Sequence, residues 1–236
     1  MRNHTHRPPR RRPARALAAA VLGLATAALA ATAATLHTAQ AAEETMTRER
    51  ALQGLQRPDA RARLAAVERL AEIGRMPDAD RLVARLRDSE PEVRESAQQA
   101  MWRIWSRSGD PAIDRQFAQG LAHMQAQDFD RALAVFDDIV QRMPAFAEGW
   151  NKRATLYFLL GEHDKSLKDC DEVLKRNPNH FGALSGAGQI HLQLGNPEQA
   201  LAFFKRALQV NPNLAENLGP AIELLEQQVR RGRTTT

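Results

Sequence analysis

The chain has one cysteine in 236 residues, so no disulfide can close within it. Aromatic residues make up only 5%. A core must then come mainly from Leu, Ala, Val and Ile, which suits helix-on-helix packing better than a strand-rich sandwich. Several chemical spacings are also missing: His-Glu-x-x-His, paired cysteines, a P-loop, Gly-x-Ser-x-Gly and Gly-x-Gly-x-x-Gly. Gly182, Gly186 and Gly188 are close together, but no strand signal precedes them, as a phosphate loop would need. These absences point away from a metal, a cofactor and an enzyme.

Acid is missing from one region alone. Residues 1–41 hold Arg2, Arg7, Arg10, Arg11, Arg12 and Arg15 and no Asp or Glu. The formal charge is +5; without those six arginines the remainder holds 27 basic and 28 acidic residues. No basic stripe is left for nucleic acid, so nucleic-acid binding is not expected. The Arg-rich start, the uncharged Ala/Leu-rich run 16–36 and the small-x-small site Ala39-Gln40-Ala41 read as an export signal cleaved after Ala41. That predicts a periplasmic or secreted protein. The same run is about as long as a membrane span, so the alternative is an uncleaved inner-membrane tether through residues 16–36.

What is present is repetition. Pro144, Pro178 and Pro212 stand 34 residues apart. Small residues share the step at Gly120, Ala154 and Gly188, and again at Ala132, Ser166 and Ala200. Apolar residues share it at Phe136, Cys170 and Phe204, while His123, Tyr157 and His191 form another column. This pattern resembles the tetratricopeptide repeat, a helix–turn–helix unit. The register predicts repeats 113–146, 147–180 and 181–214, with helix pairs 113–126/129–142, 147–160/163–176 and 181–194/197–210. Gly161 and Gly195 are expected to end first helices, with Gln127 in that place in the first repeat, and Asn196 to cap the helix that Pro197 begins. Ile222, Leu225 and Val229 mark an amphipathic capping helix over 215–230. The tail 231–236 is expected to be disordered.

A second, weaker periodicity precedes these repeats. At an offset of 31, Arg63 falls on Arg94, Ala66 on Ala97, Leu70 on Met101 and Ile73 on Ile104. The run Asp88-Ser89-Glu90-Pro91-Glu92-Val93-Arg94 resembles a HEAT-like repeat. Residues 42–110 are therefore read as a short linker and two such units, with Gly74 stopping one helix and Ser89 and Glu92 forming a capping box. The expected fold is all-α: a right-handed α/α superhelix of HEAT-like repeats, three tetratricopeptide repeats (domain 111–230) and a cap.

The resemblance implies non-catalytic protein–protein interaction, with a protein or peptide segment held on the concave face by first-helix residues. By register these are Phe117, Leu121 and Met124 in the first repeat, Asn151, Lys152, Thr155 and Phe158 in the second, and Ser185 and Gln189 in the third. The carboxylate clamp of chaperone-binding relatives is not matched. Phe117 and Leu121 stand where its first Lys and Asn would be, and Gly182 and Gly186 where its last Lys and Arg would be. Cys170 reads as a small buried side chain, Asp169, Asp171 and Glu172 as a solvated acidic face, and His123 and His191 as packing residues. An exported adaptor or assembly factor of a bacterial cell envelope is the expected role.

Overall fold

The 34-residue step of the prolines is matched by three helical hairpins in the computed structural model, which describes residues 46–234. The export-signal and membrane-tether readings lie outside those residues. Among the described residues no helix is long and apolar enough to cross a membrane. The helices are α1 (Arg48–Gly54), α2 (Ala60–Ile73), α3 (Met76–Leu82, continued by a 3-10 turn, Val83–Arg87) and α4 (Pro91–Trp105). Then come α5 (Pro111–Gln125), α6 (Phe129–Arg142), α7 (Ala147–Leu159), α8 (His163–Arg176), α9 (Phe181–Gln193), α10 (Pro197–Val210) and α11 (Ala215–Thr234). The fold is an all-α solenoid.

Turn chemistry sets the three hairpins. The chain reverses through left-handed backbone at Gln127 (φ 58°), Gly161 (φ 76°) and Gly195 (φ 73°), one per repeat. Three starts carry a side-chain cap: Asp110 accepts the Ala112 N–H at 2.7 Å, Asp128 accepts the Arg131 N–H at 3.4 Å and His180 Nδ1 accepts the Ala183 N–H at 3.0 Å. Asn196 occupies the cap position of α10 but makes no side-chain capping bond, so Pro197, with its preset φ, starts that helix instead. Small residues then let each pair close. A methyl group added to Gly120 would lie 2.6 Å from the Phe136 ring, and one added to Gly188 2.5 Å from Phe204. These glycines give up a side chain so that a ring can fill the space between helices.

Three expectations need correction. Asp169 is not on a solvated face: it is buried, and Arg153 donates to both its oxygens at 2.7 and 2.8 Å. The same guanidinium reaches Asp137 at 2.9 Å, so it ties α6, α7 and α8 together. Ser89 does not cap α4. Glu90 takes that position, and Asp88 accepts the Glu90 N–H at 3.2 Å. The residues from 231 are not all disordered, because α11 runs on to Thr234, four residues past the expected end.

The N-terminal hairpins are held by a buried ion pair across the expected repeat. Arg63 on α2 donates to both oxygens of Asp88 at 2.8 and 2.7 Å. Arg94, its counterpart on α4, donates to the Asp88 carbonyl at 2.9 Å. This part then packs along the repeats rather than standing apart. Trp102 and Trp105 of α4 meet His180 and Phe181 at the start of α9, with ring centroids 4.5–5.3 Å apart. Gln98 accepts from Asn211 at 2.6 Å, the Leu86 carbonyl accepts from Asn213 at 3.1 Å, and Arg87 donates to the carbonyls of Gln209 and Val210.

Candidate binding groove

The first helices of the second and third repeats, α7 and α9, stand side by side with α8 behind them. Along α7, Asn151, Ala154, Thr155 and Phe158 recur at helical spacing and share one face. Along α9, Gly182, Ala183, Ser185, Gly186, Gln189 and Ile190 face them, and Ser166 and Cys170 of α8 form the floor. The cavity between them is about 220 Å³. Five sequence-predicted residues meet there: Asn151, Thr155, Phe158, Ser185 and Gln189.

The polar groups in this groove are not idle. Thr155 Oγ1 donates to the Asn151 carbonyl at 2.9 Å and Ser185 Oγ to the Phe181 carbonyl at 2.8 Å. Both hydroxyls spend their proton on their own helix, which leaves their oxygen lone pairs as acceptors. Ser166 donates to the Ala154 carbonyl at 2.7 Å and so closes the floor. Burial, with Asp169 and Asp171 nearby, pushes the Cys170 thiol up to about 12, so it stays protonated and unreactive at neutral pH.

The first repeat does not reach this groove. Phe117 is 4% exposed and packs between Phe136 and Phe146, with ring centroids 5.7 and 5.3 Å away. An aromatic side chain in that column folds inward, where the Asn and Ser of the later repeats remain on the groove. Leu121 and Met124 are half-buried and lean on the same cluster. Lys152 is also turned aside: its ammonium bonds Glu148 at 2.8 Å and lies 5.7 Å from the Trp102 ring.

A buried network missed in the sequence closes the end of the groove. Glu148 and His180 are both fully buried. Because His180 Nδ1 accepts the Ala183 N–H, the ring proton sits on Nε2, which donates to Glu148 Oε2 at 2.9 Å. Lys152 and Asn151 donate to the other oxygen at 2.8 and 3.1 Å. Burial alone would raise the Glu148 pKa. The bond from His180 and the charge of Lys152 outweigh it and hold the carboxyl at about 2. The signal was available: His180 precedes Phe181 by one residue, where a helix start needs an acceptor.

Residues 145–213 match the tetratricopeptide repeat family. No curated protein is significantly similar to the chain. Among solved structures, a crystal structure of MamA is similar at 16% identity and a TM-score of 0.42, covering 66% of this chain and 93% of that one. The TPR2AB-domain:pHSP90 complex of yeast Sti1 is similar at 15% identity and a TM-score of 0.44, covering 83% and 81%. The 34-residue register, the hairpins that follow it and the family match identify residues 145–213 as tetratricopeptide repeats.

Proposed function

We propose that the protein is a non-catalytic scaffold or assembly factor of a bacterial cell envelope, binding a partner segment in the groove between α7 and α9. The observation that carries the groove is its lining: Thr155 and Ser185 offer acceptor oxygens, Gln189 is exposed, and Phe158 and Ile190 supply apolar contact. Such a surface suits the backbone of an extended or helical segment, which needs hydrogen bonds without a fixed side-chain charge. In the same proposal, the N-terminal hairpins are HEAT-like. Export follows from the Arg-rich start and the Ala39-Gln40-Ala41 site; retention through residues 16–36 would make the protein an inner-membrane scaffold.

Crosslinking and mass spectrometry on the native full chain test this reading, with Thr155→Arg/Gln189→Arg as the comparison. Both positions are exposed, so the fold should survive. Partners lost in the double variant support the groove, and partners retained refute it. Sequencing the N-terminus in the same preparation separates the two locations: a start at Ala42 means release, and an intact segment means a tether.

A further inference from the structure

The groove cavity has a cause in the repeat register. In the first and third repeats a glycine faces a phenylalanine, Gly120 against Phe136 and Gly188 against Phe204. The second repeat changes both partners, to Ala154 and Cys170. A thiol in place of a ring removes more volume than the added methyl restores, and the surroundings relax only in part. The deficit lies where the cavity is found, with Ala154, Ser166 and Cys170 lining its floor. We infer that this cavity is a socket for one aromatic side chain, of phenylalanine or tyrosine type, carried by the partner segment. The inference rests on the groove reading above and adds the class of side chain that the groove selects.

Size, charge and supply agree. An apolar cavity of about 150 Å³ accommodates a benzene ring, and this one is about 220 Å³. No lining residue is an Asp, Glu, Lys or Arg, so charge complementarity selects an uncharged insert. A charged side chain would lose its hydration there without gaining a partner. Phe158 on one wall offers ring contact, and Gly182 and Gly186 leave bare helix backbone opposite. The chain cannot supply the ring from its own N-terminal segment, since residues 1–45 contain no Phe, Tyr or Trp. The exposed large apolar residues of the described part are Met and Leu only, so a second copy offers no exposed ring either.

The test fills the socket from inside. Ala154→Gly/Cys170→Phe restores the pair that the neighbouring repeats use; Cys170→Phe alone would drive the ring into Ala154. N-acetyl-phenylalaninamide is titrated into the full chain, with amide shifts read by NMR and N-acetyl-alaninamide as the control. A probe of this size should bind in the range of about 1 mM. The expected result is shifts at Ala154, Cys170 and Gly186 with the phenylalanine probe alone, and their loss in the double variant. No shift in the unaltered chain, or equal shifts with both probes, overturns the socket whether or not the double variant folds. Crosslinking separates this from the groove itself. Partners lost in Thr155→Arg/Gln189→Arg but retained at full strength in the filled-socket variant refute the socket and leave the groove standing. Partners retained in both refute both.

Discussion

Glu148 and His180 lie 32 residues apart in the chain and share a fully buried hydrogen bond of 2.9 Å. The pair joins α7 to the start of α9, beneath the Trp102 and Trp105 rings of α4. Because the folded state holds Glu148 at about 2 against an ordinary 4.5, the ionised carboxylate stabilises the fold. That contribution is complete above pH 4.5 and is lost as the pH falls towards 2, a total of about 3 kcal/mol at roughly 1.4 kcal/mol per pH unit. Glu148→Gln should lower stability at pH 7 by about 3 kcal/mol, since it leaves buried donors mismatched. It should also flatten the acid limb between pH 4.5 and 2. Urea denaturation across that range reads both effects.

Phe136→Ala should cost about 3–5 kcal/mol, because the ring is fully buried between the first and second repeats and its loss leaves a cavity beside Gly120. Chemical denaturation followed by circular dichroism measures it. A change no larger than that of a surface substitution would refute the packing described.

Gly188→Ala acts on the other half of the same kind of contact. The new methyl would sit 2.5 Å from the Phe204 ring, which is itself fully buried and has little room to move. Overpacking of this kind costs about 1–3 kcal/mol. Phe204→Leu in the same chain should recover part of the loss, and a melting comparison of the two variants checks the coupling.

Gln127→Gly should stabilise the protein. Gln127 holds φ at 58°, in the place where the later repeats have Gly161 and Gly195. Relief of the left-handed strain exceeds the entropy that glycine adds to the unfolded chain, for a net gain on the order of 0.5–1 kcal/mol. A higher melting temperature is the expected result.

The 34-residue repeats were legible because turn, small residue and ring recur in fixed columns, and a column constrains backbone and packing together. That is why the ends of α6, α8 and α10 fall where the register places them. Asn151, Thr155, Phe158, Ser185 and Gln189 line one cavity because their spacing puts them on facing sides of α7 and α9. Phe117 escaped because column position says which way a side chain starts, not whether an aromatic ring finds a pocket; Phe136 and Phe146 supplied one. Asp169 escaped for a similar reason: an acidic run reads as solvated until Arg153, sixteen residues away, is seen to reach it. The packing of the N-terminal hairpins along the repeats depends on contacts separated by up to 127 residues, between Leu86 and Asn213, which no local pattern encodes.

The central claim is that the partner lies between α7 and α9. A photo-crosslinking amino acid placed at Gln189, on the groove, and in a separate chain at Lys168, exposed on α8, tests it most directly. Irradiation of the full chain in its native setting should give a partner adduct from position 189 and none from position 168. An adduct from position 168 with none from 189 would contradict the account.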